Sequence, residues 1–389
     1  MNLNLTKNYT TFAIIITNII IIFILVNIGA YFYIQKNKND IKKIKNATER
    51  LAGPVKKYGK ELFIKNKDIY GSNYDINKIL DLMNDYYYRG FGLEYEPFVG
   101  YREKIGFRSE HINISKFGYR FNKHNVKEIS KTKKTIFVFG GSTTFGYGVS
   151  DSETIPSYLQ DKFDSNEYIV YNFGRGYYYS KQQLILFIQL LNKGYRPDIV
   201  ISIDGVNEKG YTDIPSKSNK FSDALKWKPK EPVSSLLKEI PIVKLYFRTF
   251  KKEYNKSVKK KKKIYTKSIA KKDIEYYLET IKMFNTICEK YDINYYAIYQ
   301  PSHIYKFDYK KYHPFYQGDN TRMPLTRYPI LEDMINMKKT PKYLYSLMDL
   351  QENEKRPLYV DLVHYNPYFN NKMAEEIYKI IKINKGTIN

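Results

Sequence analysis

Three residues, one before the middle of the chain and two near its end, have the types and settings for acyl-transfer chemistry. Ser142 stands in Gly140-Gly141-Ser142-Thr143, directly after the apolar run Thr135 to Phe139. Such a short run, rich in β-branched and aromatic residues, predicts a strand covered on both faces in a parallel sheet. The two glycines let the backbone turn at its end, delivering Ser142 to the carboxyl edge of the sheet, where open α/β folds place their ligands. A serine there can be a nucleophile when a base and an oxyanion hole converge on it, or simply the cap of the next helix. Near the other end, Asp361-Leu-Val-His364 sets a carboxylate and an imidazole three residues apart. On one helical turn both would point the same way, so the carboxylate could hold one ring nitrogen and leave the other for the serine proton. The order Ser, Asp, His suits several folds, but an early serine with a tight Asp-x-x-His near the end excludes most of them.

Two further blocks lie between. Asn172-Phe-Gly174 follows the run Tyr168 to Asn172, and Gly205-Val-Asn207-Glu208 follows the run Ile199 to Ile203. Taken in order, the four blocks resemble those of the SGNH (GDSL-like) hydrolases, of the membrane-anchored bacterial type, over roughly two-thirds of the chain. The resemblance implies Ser142 as nucleophile, His364 as base and Asp361 as its orienting acid. It also implies an oxyanion hole built from the Ser142 amide, the Gly174 amide and the Asn207 side chain, with no metal and no organic cofactor. Two departures stand out. Gly-Gly-Ser-Thr replaces the nominal Gly-Asp-Ser-Leu, and Glu208 stands where many members have aspartate.

The elements that must position these residues follow from composition and periodicity. With 389 residues, 43% of them hydrophobic, the chain can hold one large α/β domain with appendages. The net charge of +25 suits an acidic partner, but it comes from lysines scattered among 41 tyrosines and many asparagines, as a biased genome would also produce. No nucleic-acid module is visible. The single cysteine, Cys288, cannot form an internal disulfide.

Phe12 to Ile34 is an apolar run long enough to span a bilayer, with Tyr31-Phe32-Tyr33 at its edge and no convincing cleavage site after it, which predicts an uncleaved anchor over residues 1–35. Lysines 36, 38, 42, 43 and 45 follow the span and argue for a cytoplasmic catalytic part, whereas the resemblance points outward. We expect a single-pass protein facing the extracytoplasmic side.

Residues 36–130 read as a lead-in that packs on the catalytic domain, with a helix over Asp75 to Tyr88 capped by Asn73 or Asp75 and ended by Gly90. His111 and His124 lack ligand-spaced neighbours and are expected at the surface. The catalytic domain, 131–389, should run strand, helix, strand, with helices from Thr154 to Phe163 and from Ser180, under a Ser180/Gln183 capping box, to Leu191. An insertion at about 211–271 carries Trp227 and the run Lys259 to Lys263. A helix over Lys272 to Tyr291 and a strand over Asn294 to Tyr299 follow, ending at His303, a rival base. Ile304 to Pro357 is tyrosine-rich and irregular by pattern, read as a lid or substrate wall, and Asn371 to Ile381 closes the chain as a helix.

These observations predict an α/β/α three-layer sandwich with a central parallel sheet, SGNH/flavodoxin-like, plus one N-terminal transmembrane helix. The resemblance implies a serine esterase or O-acyltransferase working through an acyl-enzyme on O-acetyl groups of a cell-surface polysaccharide. In the transferase case it also implies a multispanning acyl-donor protein as partner. The alternative is an idle fold of the same family serving as a membrane-anchored glycan-binding scaffold.

Overall fold

The computed structural model describes residues 2–47, 60–71, 74–87, 92–122, 128–208, 240–243, 265–316 and 323–386. The cap at Asn73, Gly90, His124, Trp227, the lysine run at 259–263 and most of the 211–271 insertion lie outside them. The chain divides into two compact units, Met1–Arg50 with Lys226–Ile264, and Leu51–Leu225 with Tyr265–Asn389.

The first unit is dominated by α1, Asn2–Ala47. Its stretch Tyr9–Tyr33 has a mean hydropathy of 2.7 and is long and apolar enough to cross a membrane, with nearly all of its side chains exposed. Polar residues within it bond back onto their own helix: Thr17 Oγ1 donates to Ala13 O and Asn27 Nδ2 to Phe23 O, each at 2.8 Å. Satisfying polar groups locally is what an apolar surrounding demands.

The second unit holds the sheet. Strands β3 (Lys134–Gly140), β4 (Tyr168–Asn172), β5 (Ile199–Asp204), β6 (Asn294–Tyr299) and β7 (Leu344–Ser346) run in the order β4-β3-β5-β6-β7, and every pairing is parallel. Because side chains alternate across a strand, Phe137 and Phe139 join one core with α6 (Ser180–Asn192) and α7 (Lys267–Lys290), while Ile136 and Val138 join the opposite core with α5 (Ile155–Gln160) and α10 (Pro367–Gly386). Both faces are thus covered, which is why the strands read as continuous apolar runs rather than alternating ones. The fold is the three-layer α/β/α sandwich.

The region ahead of the sheet contributes α2 (Lys60–Lys65), α3 (Ile76–Tyr87) and a two-stranded ladder of β1 (Leu93–Glu94) and β2 (Arg102–Glu103). Asp75 caps α3, accepting from Lys78 N at 2.8 Å. Ile79, Leu82, Met83 and Tyr86 of α3 pack with Phe145 and Val360 in a third core. Arg120, fully buried, donates to Phe145 O, Gly146 O and Val149 O and pairs with Asp151 at 2.7 Å, so this region braces the turn that follows Ser142.

Two local expectations fail. Ser180 and Gln183 form no capping box: Tyr179 is the cap residue of α6, and Ser180 N and Oγ donate to the Glu208 carboxylate at 2.9 and 2.8 Å. A carboxylate at a helix start accepts from its unpaired donors and faces the positive end of the dipole, so it displaces a neutral cap. The stretch 304–357 is not irregular either. It contains α8 (Tyr309–Tyr312), the fourteen-residue α9 (Met323–Asn336) and the fifth strand β7. Pro329 inside α9 and the three-residue length of β7 hid both.

Candidate active site

Ser142 opens α4 (Ser142–Phe145), one turn of helix set directly on the end of β3. Its position at a helix start leaves its backbone N–H without an intrahelical acceptor. The half-buried hydroxyl Oγ lies 2.8 Å from His364 Nε2, and His364 Nδ1 lies 2.7 Å from Asp361 Oδ2. The structure therefore joins residues 142, 361 and 364 in one relay.

The segment holding Asp361 and His364 is not a helical turn, contrary to the spacing argument. Tyr359 and Tyr365 pair across it as an antiparallel bridge, Val360 N donates to His364 O at 2.9 Å, and Asp361 Oδ1 accepts from Val363 N and His364 N, both at 2.9 Å. The aspartate thus folds the turn with one oxygen and orients the imidazole with the other. Burial pushes the Asp361 carboxyl up, but the neighbouring imidazole and these hydrogen bonds outweigh it and hold it below the usual carboxylate value. An ionised Asp361 accepts the Nδ1–H, which leaves Nε2 as the acceptor facing the serine. Tyr147 stacks on the His364 ring, 5.5 Å between centroids and 21° between planes, and fixes the ring from its face.

His303, the rival base, is buried against the rings of His313 and Tyr359. Burial, and then His313, push its pKa down to about 3, so it is neutral and takes no part in the relay. His111 is not at the surface: it is buried, its Nδ1 lies 3.1 Å from Ser150 Oγ, and its Nε2 lies 3.5 Å from Asp81 Oδ2. The spacing argument looked only along the chain, and α3 brings Asp81 across from thirty residues away.

Asn207 follows β5. A Cβ built on Gly141 would lie 2.6 Å from Asn207 Nδ2, so the loop after β5 approaches the serine turn closely enough to require glycine there. One hydrogen of Asn207 Nδ2 is given to Tyr178 O at 3.0 Å. Gly174 packs behind the serine turn, where an added Cβ would sit 2.3 Å from Phe145 N. Its own N–H donates to Asn172 Oδ1 at 3.0 Å, while Asn172 Nδ2 donates to Thr144 O and Phe145 O at 3.1 and 3.2 Å. The glycine amide is therefore engaged, and Asn172 ties the second block to the first.

The Gly-Gly-Ser-Thr serine, the Asn-Phe-Gly turn and the Asp-Leu-Val-His turn meet at one edge of a parallel sheet, and the GDSL-like Lipase/Acylhydrolase family model matches residues 136–377, more than half of the chain. This chain belongs to that family. Like other GDSL-like acylhydrolases it is an ester-hydrolysing protein built on the SGNH sandwich. Among solved structures it is similar to a carbohydrate acetylesterase family member from Sinorhizobium meliloti, at 12% identity over 64% of this chain and 98% of that one, with a TM-score of 0.36. It is also similar to an acetyl xylan esterase, at 16% identity over 64% and 99% of the two chains and a TM-score of 0.35. An aryl esterase of M. Smegmatis matches at 11% identity over 64% and 98%, with a TM-score of 0.35. No curated protein matches the chain.

Sequence reasoning missed the charged residues that hold this acylhydrolase site together. Glu103, buried in β2, accepts from Gly176 N at 2.5 Å and from Tyr147 OH at 3.4 Å, beside the buried Arg175. Arg327 on α9 donates to backbone carbonyls of the loop carrying Asn207. Neither has a sequence signal, since each acts on a backbone far away in the chain.

Beneath Asn207 lie two buried acids. Burial, then the Glu208 charge, push Asp204 well above its usual value; burial also raises Glu208, against the Ser180 hydrogen bonds and Arg327. Asp204 is the member raised further, because Glu208 has the better donors. Gln183 Nε2 donates to Asp204 Oδ1 at 2.7 Å.

Proposed function

We propose that this enzyme removes O-acetyl groups from a carbohydrate at the membrane surface, by acyl transfer through Ser142. The Asp361–His364–Ser142 relay carries the reading. Ser142 Oγ attacks the ester carbonyl carbon as His364 Nε2 takes its proton, and the new imidazolium is stabilised by ionised Asp361. The tetrahedral oxyanion then collapses, the sugar oxygen leaves with the proton from His364, and the acetyl group remains on Ser142. Water attacks this ester with His364 again as base, releasing acetate and restoring the serine. Ser142 N–H and the second amide hydrogen of Asn207 are the donors we assign to the oxyanion. Gly174 N–H would have to leave Asn172 Oδ1 to join them.

The ester chemistry is supported by the acylhydrolase family, and the place at the membrane surface by a span-length apolar helix on the same chain. We infer that this helix is a single anchor and that the catalytic domain faces outward. Reporter fusions after Asn389 that read as cytoplasmic would reverse the orientation.

The direct test is acetate release from an acetylated polysaccharide by the detergent-solubilised full chain, with Ser142→Ala as control. Release that depends on Ser142 supports the reading. Turnover of p-nitrophenyl acetate with none of the polysaccharide would remove the carbohydrate and leave the ester chemistry. Acetyl appearing on an acceptor sugar instead of in water would make the enzyme a transferase with the same residues.

A further inference from the structure

Asn207 has few contacts of its own, yet the loop on either side of it is tightly held. Arg327 is fully buried, and its guanidinium reaches from α9 to the turn after β5. Nη1 donates to Glu208 O, and Nη2 donates to Gly205 O and, at 3.4 Å, to Val206 O. The carbonyls of residues 205, 206 and 208, on either side of Asn207, are thus gathered by one side chain. Nε is tied to Tyr299 OH at 3.2 Å, which anchors the clamp in β6. Gly205 at φ 131 makes the bend that the clamp closes. The Glu208 carboxylate, bonded to Ser180 N and Oγ, fixes the far side of the loop to α6.

We propose that Arg327 is a positioning residue that holds the Asn207 side-chain amide at the oxyanion; this rests on the serine-hydrolase reading above. An oxyanion donor helps only when it stands about 2.7–3.1 Å from where the charge develops, and a misplacement of about 1 Å can cost about 100-fold. The segment after β5 that carries the amide would otherwise have to be ordered during the reaction. The planar fork of arginine spans several acceptors at once, whereas a lysine ammonium is a single point on a flexible stem. Arginine is therefore required for its shape as well as its charge.

Arg327 also faces the buried acids, so a role in folding alone must be separated from positioning. The experiment is steady-state turnover of p-nitrophenyl acetate by the solubilised full chain in Asn207→Ala, Arg327→Met, Arg327→Lys and the two double variants. We expect Asn207→Ala to lower kcat by about 100- to 1000-fold, and Arg327→Met to lower it by about 10- to 100-fold with KM little changed. In the Asn207→Ala background, replacing Arg327 should cost less than about twofold more, because both changes remove one effect. Arg327→Lys keeps the charge beside Glu208 and guards against loss of fold; it should still lower kcat and be equally silent without Asn207. Equal losses in both backgrounds, or a fall in melting temperature with kcat unchanged, would overturn the proposal. An Asn207→Ala variant with full kcat would overturn the assignment of Asn207 itself, and the clamp's function with it.

Discussion

Asp361 and Asp204 are both buried aspartates, and their surroundings shift the two carboxyls in opposite directions, Asp361 down and Asp204 up. Burial alone would protonate both. Asp361 escapes because its oxygens accept from an imidazole and two backbone amides. Asp204 does not, because the charge of another carboxylate, Glu208, which has the better donors, adds to its burial. The partners, and not the depth, decide the direction of each shift. One aspartate is thus fitted for orienting a base and the other for holding a structure.

This contrast makes Asp361→Asn and Asp204→Asn a matched pair. Asp361→Asn should lower kcat by about 10⁴-fold, since an amide presents a donor to His364 and favours the wrong tautomer; a pre-steady-state burst assay would read it, and a loss below tenfold would break the contrast. Gly174→Ala tests the backbone approach that brings the blocks together. Its new Cβ would meet backbone at 2.3 Å, in Phe145 N. We expect a loss of about 1–3 kcal/mol of stability in thermal unfolding, and an unchanged melting temperature would contradict the packing.

Asp204→Asn should differ in sign, because it should be stabilising at neutral pH. A carboxyl whose folded value is raised loses stability as pH rises past about 4, because the unfolded chain releases its proton before the native one does. Asparagine mimics the protonated acid without this dependence. Melting temperatures of variant and wild type should therefore coincide near pH 4 and diverge in favour of the variant by pH 7. Asp361 predicts the reverse sign. Its depressed value adds stability that is full above about pH 4 and is lost as pH falls through the lower folded value, so Asp361→Asn should be less stable at neutral pH and converge with wild type in acid.

Much of the fold was legible because it depends on local patterns. Strands β4 and β6 begin and end where the apolar runs do, and β3 and β5 extend them only to Lys134 and Gly140 and to Asp204. Short buried parallel strands leave that signature wherever helices cover both faces. What escaped was non-local. The turn at 361–364 is shaped by a bridge between Tyr359 and Tyr365 and by one aspartate oxygen, which spacing cannot distinguish from a helical turn. Strand β7 is three residues long and is defined by its partner β6. Glu103 and Arg327 look like ordinary charges in sequence, and only the fold shows that their targets are backbone groups at residues 176 and 205–208.

The most direct test of the central claim is covalent labelling of the detergent-solubilised full chain with a fluorophosphonate, read by mass spectrometry of the peptide carrying Ser142. The account predicts stoichiometric modification of Ser142 that disappears in Ser142→Ala and falls sharply in His364→Ala. A folded wild-type protein that is not modified, or one modified equally without His364, would contradict an activated serine at this site.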